Sequence, residues 1–118
     1  MKTLIIGASK NPERYSYKAA ERLLAHEHEI ELLGRRADEI FGKKIQTEKK
    51  KFESIDTVTL YVGPQNQPEY YDYIVSMKPR RVIFNPGTEN PEFVQLLEAN
   101  GILCEIACTL VLLGTNQY

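Results

Sequence analysis

The feature that most restricts this chain is the alternation of short apolar runs with segments whose apolar residues recur at helical spacing. Lys2 to Ile6 is a mostly apolar run closed by Gly7. Ser16 to Glu27 follows, with Tyr17, Ala20, Leu23 and Leu24 on one helical face. Ile30 to Leu33, ended by Gly34, and Thr57 to Val62, ended by Gly63-Pro64, read as second and third strands. A second helix is marked by Tyr70, Tyr73, Ile74 and Met77 at i, i+3, i+4 and i+7, and Pro79 marks its end. Arg81 to Phe84 gives a fourth strand. The third helix has the clearest punctuation: Asn90 as N-cap, Pro91 at its first position, Gly101 just past its end, and Phe93, Leu96 and Leu97 as its stripe. Ile102 to Ile106 is a fifth strand, and Cys108 to Leu113 a short terminal helix.

Strands joined through helices by short connections must run mostly parallel, with right-handed crossovers and helices on both faces. The expected architecture is one Rossmann-like doubly wound α/β domain over residues 1–118, with a five-stranded parallel sheet ordered 3-2-1-4-5. A first strand apolar on both sides suits burial between two helix layers. Arg35 to Asp56, which contains Lys49-Lys50-Lys51, lacks a clean period and is expected to be a surface connection with a short helical turn. A chain of 118 residues can bury one core without disulfides or metal.

Charge and composition exclude several classes of partner. The net charge is −1, which gives no footprint for nucleic acid or an anionic membrane. No run approaches the roughly twenty apolar residues of a membrane-spanning helix, and Leu4 to Ile6 is too short for a secretory signal core. The expected location is the cytoplasm. Cys104 and Cys108 lie far in sequence from His26 and His28, so spacing assembles no metal site, and both thiols are expected to be reduced and mainly to fill space.

In an open parallel sheet the ligand crevice lies at the carboxyl ends of the strands, where strand order reverses. With the expected order, Gly7 to Tyr15 and Asn85 to Asn90 flank that point. The first loop departs from the dinucleotide fingerprint G-x-G-x-x-G: Gly7 is present, but Ser9 and Pro12 take the other glycine places. It offers instead the hydroxyl of Ser9, the amide of Asn11 and the cations Lys10 and Arg14, ahead of a helix beginning near Ser16 whose free N–H groups attract anions. After the second strand an NAD site needs a carboxylate, and here stand Arg35 and Arg36. An arginine pair suits a ribose that carries a phosphate. NADP and coenzyme A both meet that requirement, while turns of this composition and solvated arginines also occur with no ligand.

The residues Gly7-Ala8-Ser9, Asn11-Pro12, Arg14 and Ser16 together resemble the CoA-binding domain family of small bacterial proteins, related to the N-terminal domain of the succinyl-CoA synthetase alpha subunit. The resemblance covers nearly the whole chain. It continues through Ile40 to Lys44, Ser54-Ile55-Asp56, Arg81 to Gly87, and Gly101 to Cys108. It implies a Rossmann-type domain binding coenzyme A or a related nucleotide, with Gly7, Ala8, Ser9, Asn11, Arg14 and Ser16 as the pyrophosphate and nucleotide contacts. The loop around Val62 to Pro64 would flank the adenosine or pantetheine part, and Asn85, Pro86 and Gly87 would close the crevice. Two departures stand out. Many members have a Pro-Val-Asn-Pro turn where this chain has Leu33-Gly34-Arg35-Arg36, so a family contact is lost or replaced there. Their late cysteine usually follows a basic residue, whereas Cys108 follows Ala107.

Catalysis requires a base or nucleophile with an orienting partner. His26 and His28 are expected at the edge opposite the crevice, and no acid pair or Ser-His-Asp set is readable. Cys108 is the one conceivable nucleophile, as a mixed-disulfide partner of the CoA thiol. The leading expectation is a CoA-binding module, non-catalytic alone, whose partner is a small nucleotide cofactor and which joins a homodimer or a larger enzyme. The tyrosines Tyr70, Tyr71 and Tyr73 offer an interface. The alternatives are an NADP-dependent oxidoreductase or its subunit, and an interaction protein with a decayed ligand site.

Overall fold

The computed structural model describes residues 1–118 and shows a seven-stranded sheet. The strands are β1 (Lys2–Ile6), β2 (Glu29–Leu33), β3 (Asp38–Ile40), β4 (Lys43–Gln46), β5 (Thr57–Leu60), β6 (Arg81–Phe84) and β7 (Leu103–Ile106), in the order β3-β4-β2-β1-β5-β6-β7. All neighbours are parallel except β3 and β4. The helices are α1 (Tyr15–Ala25), α2 (Tyr71–Met77), α3 (Pro91–Ala99) and α4 (Thr109–Gly114). None is long and apolar enough to cross a membrane.

Two expectations are corrected. The sheet has seven strands rather than five, because the stretch between Arg35 and Asp56 contains a β-hairpin instead of a helical turn. Its turn residues Phe41 and Gly42 both have positive φ, 52° and 76°, the backbone of a tight hairpin turn. Asn or Asp usually fills the first of those places; here Phe41 does, and its ring packs 4.9 Å from that of Tyr17 on α1. The end of the same stretch also enters the interior through Phe52 and Ile55. The order differs as well: Thr57–Leu60 lies beside β1 and not beyond β2, the outer place being taken by β4. The reversal of strand order therefore falls between β1 and β5.

Two apolar layers cover the sheet. Leu4, Ile6, Val58, Leu60, Val82 and Phe84 share one layer with Ile74 of α2 and Phe93 and Leu97 of α3. Ile5, Ile30, Leu32 and Ile45 meet Ala20 and Leu23 of α1 and Leu113 of α4 on the other. Each fully buried Leu, Ile or Phe contributes roughly 1.5–3 kcal/mol, so this double layer is what fixes the strand ends in space. On α1 the buried face departs from the spacing at two residues: Ala19 is buried, and Leu24 is left 37% exposed. Asn90 does cap α3, its side chain accepting from the Phe93 N–H. The tyrosine-rich segment begins with two short 3-10 turns, Pro64–Asn66 and Pro68–Tyr70, before α2 proper.

Candidate functional site

The carboxyl ends of β1, β2, β5 and β6 surround a cleft of about 1190 Å³, at the large end of small-molecule sites and ample for a nucleotide. Its floor depends on close backbone approaches. Gly7 has φ +95°, and a Cβ there would stand 2.8 Å from the Tyr61 carbonyl oxygen. A Cβ on Gly34 would stand 2.4 Å from the carbonyl oxygen of Ala8, so the chain after β2 can pass beneath the first loop only as glycine. The N–H groups of Gly7 and Ala8 both donate to the Leu33 carbonyl, which joins the two loop bases.

Beyond that base, the first loop is organised by its own side chains. Ser9 Oγ accepts from the Asn11 N–H at 3.1 Å, and Asn11 Oδ1 accepts from the Glu13 N–H at 3.0 Å. The loop enters α1 at Arg14, with extended backbone and no side-chain cap, and the first turn of α1 carries no acidic residue. The positive end of an eleven-residue helix thus opens at the cleft.

Gly7, Ala8, Ser9, Lys10, Asn11, Arg14 and Ser16 all line the cleft, as do Arg35 from the β2 loop, Val62 from the β5 loop, and Pro86 and Gly87 from the β6 loop. Pro64 and Asn85 do not. Pro64 opens the 3-10 turn whose last residue, Asn66, lines the cleft in its place. Asn85 is 2% exposed and faces the interior. Its Nδ2 donates to Thr59 Oγ1 at 2.6 Å and to the Leu60 carbonyl at 2.8 Å, and its Oδ1 accepts from the Thr109 N–H at 2.9 Å. Asn85 joins β5, β6 and the start of α4 beneath the cleft; it is a fastener, not a wall.

Arg36 lines the cleft beside Arg35, as the arginine pair suggests. Several lining residues lie outside the expected set: Ala37 and Asp38 arrive because the chain turns into the β3–β4 hairpin. Tyr61 falls inside the expected Thr57 to Val62 strand, but β5 ends at Leu60, which releases Tyr61 to the wall. Burial pushes its phenol up to about 12. Tyr15, the first residue of α1, is 67% exposed at the mouth, with the Lys18 ammonium 5.3 Å from its ring centre. Gly63, Asn66 and Thr88 complete the side toward β6.

Charge divides the cleft. Lys10, Arg14, Arg35 and Arg36 line it together with one carboxylate, Asp38, 3.4 Å from the Lys10 ammonium. The Glu39 N–H, which Asp38 accepts, and then Lys10 hold that carboxyl below its ordinary value. The walls from β5 and β6, Tyr61 to Asn66 and Pro86 to Thr88, carry no charged lining residue.

The remaining reactive groups lie elsewhere. His28 sits at the amino ends of the strands, beside the Met1 amino group at 3.3 Å and the Tyr118 ring at 5.0 Å. Cys108 precedes α4, outside the cleft lining. Cys104 packs against the interior, where burial pushes its thiol up to about 11. No group of three or more His, Cys, Asp or Glu side chains is placed to hold a metal ion.

A family model described as "CoA binding domain" matches residues 1–114. The chain belongs to that family. Its fold recurs at 53% identity in a solved structure of an uncharacterized protein, with a TM-score of 0.97 over 99% of this chain and 97% of that one. A Pyrococcus furiosus conserved hypothetical protein is 27% identical, with a TM-score of 0.78 over 88% of this chain and 90% of that one. The fold also recurs within a dinucleotide-forming acetyl-coenzyme A synthetase of Ca. Korarchaeum cryptofilum, solved with phosphate and ADP. That likeness is 18% identical with a TM-score of 0.72, covering 87% of this chain and 25% of the synthetase chain. No curated protein matches the sequence.

Proposed function

We propose that the protein binds coenzyme A in this cleft, as a module with no catalysis of its own. The observation that carries the reading is the gathering of four cationic side chains against one carboxylate, at the sheet's reversal point, in a chain whose net charge is −1. Coenzyme A presents a pyrophosphate and a 3′-phosphate at one end and an uncharged pantetheine arm at the other. The cationic part of the cleft and the open start of α1 suit the phosphates, and the uncharged walls from β5 and β6 suit the arm. Arg35 and Arg36 stand where the carboxylate of an NAD site would be, so a phosphorylated ribose is favoured over a bare one. Family membership agrees with this ligand.

The lining contains neither histidine nor cysteine, and its carboxylate is held in an ion pair. With neither at hand to activate the serine hydroxyls of the lining, the module is read as one that acts by carrying or presenting its ligand.

The deciding experiment is calorimetric titration with CoA, dephospho-CoA, NADP, NAD and ATP. Micromolar or tighter CoA binding, weakened about tenfold or more in dephospho-CoA, is expected if the arginines hold the 3′-phosphate. Preference for NADP over CoA would overturn the assignment of ligand. Silence toward all five would mark the cleft as an inherited shape without a nucleotide.

A further inference from the structure

Gln67 lies between the two 3-10 turns that follow β5 and is 0% exposed. A buried carboxamide is costly unless its groups are all bonded, and these are. Its Nε2 donates to the Val62 carbonyl at 3.0 Å and to the Thr88 carbonyl at 2.8 Å, while its Oε1 accepts from Asn90 Nδ2 at 2.9 Å. Two carbonyls accept only from a donor, which fixes the amide's orientation. Val62 belongs to the loop after β5 and Thr88 to the loop after β6, and both residues line the uncharged part of the cleft. Asn90 is anchored in turn, its Nδ2 also donating to Tyr71 Oη at 2.9 Å and its Oδ1 capping α3. Gln67 is the side chain through which the two walls are joined.

We propose that Gln67 is a positioning residue: it sets the spacing of the Val62 and Thr88 walls, and with it the affinity for the uncharged arm of the ligand, while the phosphate end is held independently. A hydrocarbon of the same length would fill the space yet leave both carbonyls without a donor. Each would then turn toward water, and the walls would part. The first loop shares no hydrogen bond with this network, so its cations would stay in place.

The ligand arm of this proposal rests on the reading of the cleft as a CoA site; the spacing of the walls does not. The test therefore has two readouts on the full chain. In Gln67→Met, which preserves volume, amide hydrogen exchange should quicken about tenfold in residues 61–66 and 86–88 and stay unchanged in residues 9–14. The same variant should bind CoA about tenfold more weakly but adenosine 3′,5′-bisphosphate, which lacks the pantetheine arm, within twofold of wild type. Asn90→Asp keeps the cap acceptor on α3 and removes the Nδ2 donor to Gln67; the Tyr71 hydroxyl, which loses the same donor, can donate to the new carboxylate instead, so the variant should show the same pattern more weakly. Exchange that quickens across the whole chain, or not at all, would overturn the proposal, as would equal weakening of both ligands. If the wild-type protein binds neither ligand, the CoA reading fails while the exchange pattern still decides the role of Gln67.

Discussion

Residues 7–16 and residues 85–90 cross the same end of the sheet, one strand apart, and both are rich in Gly, Pro, Asn and hydroxyl side chains. In the first loop the uncharged side chains bond two residues away, as Ser9 does to Asn11 and Asn11 to Glu13, and a longer reach is made only by the exposed Lys10 ammonium, to Asp38. Lys10, Arg14 and the edge of Asn11 are left facing the cleft and solvent. In the second loop the reach is long. Asn85 bonds residues 24 to 26 positions away, and Asn90 bonds Gln67. Asn85, Thr88 and Asn90 are buried accordingly, and only Pro86, Gly87 and Glu89 emerge. Turn composition is the same in both loops, yet one spends its polar groups on itself and offers charge to a ligand, while the other spends them on holding strands and helices together.

The sharpest way to break this contrast is Asn85→Ala. It strands the Thr109 N–H, the Leu60 carbonyl and the Thr59 hydroxyl, each buried and each costing about 1–3 kcal/mol when unpaired. Part of that cost is relieved by water or by the Thr59–Thr109 hydroxyl pair, so a loss of about 3 kcal/mol in urea unfolding is expected. A loss below about 1 kcal/mol would move Asn85 into the same category as the first loop.

Arg14→Ala and Arg35→Ala should do the reverse. Both side chains are exposed, so the free energy of unfolding should change by no more than about 0.5 kcal/mol. Each lost charge-assisted phosphate contact is worth about 1.5–3 kcal/mol, a weakening of CoA binding by roughly 10- to 150-fold in titration. Raising the salt concentration should weaken the wild type more than either variant, because fewer exposed charges then remain to be screened. Variants that bind like the wild type would remove the cationic loop ends from the site.

The same contrast explains what could be read from the sequence. Helices and parallel strands were visible because burial on the two faces of a sheet imposes apolar periodicity, and Asn90-Pro91 announces α3 by local chemistry alone. The hairpin at Asp38–Gln46 was hidden because its turn pair is Phe41-Gly42, and only the contact with Tyr17 shows why an aromatic residue sits there. The hairpin also takes the outer place beyond β2 that the expected order gives to the Thr57–Leu60 strand, which lies beside β1 instead. The first loop is legible because the bonds of Ser9 and Asn11 are local. Asn85 reads as a wall in the sequence because its partners lie on β5 and α4, where no short window of sequence includes them. Asp38 and Tyr61 were missed for a related reason: their places in the cleft depend on where a strand ends, and strand boundaries follow ladder bonds more than residue type.

Asp38 supplies the smallest test and the most selective one. It is the only carboxylate lining the cleft, and its ion pair with Lys10 competes with any phosphate for that ammonium. Asp38→Asn keeps an oxygen to accept the Glu39 N–H while removing the charge. Because the group is exposed, folding stability should barely change, whereas CoA affinity should rise about two- to fivefold. The wild-type carboxyl is held below its ordinary value of 3.8, so it is ionised at every pH where the nucleotide phosphates are fully charged. The ratio of variant to wild-type affinity should therefore be the same at pH 7 and at pH 8.5, and should shrink with added salt. A ratio below one would mean that Asp38 holds Lys10 in place for the ligand, joining this corner of the first loop to the side of the comparison where polar groups serve the fold.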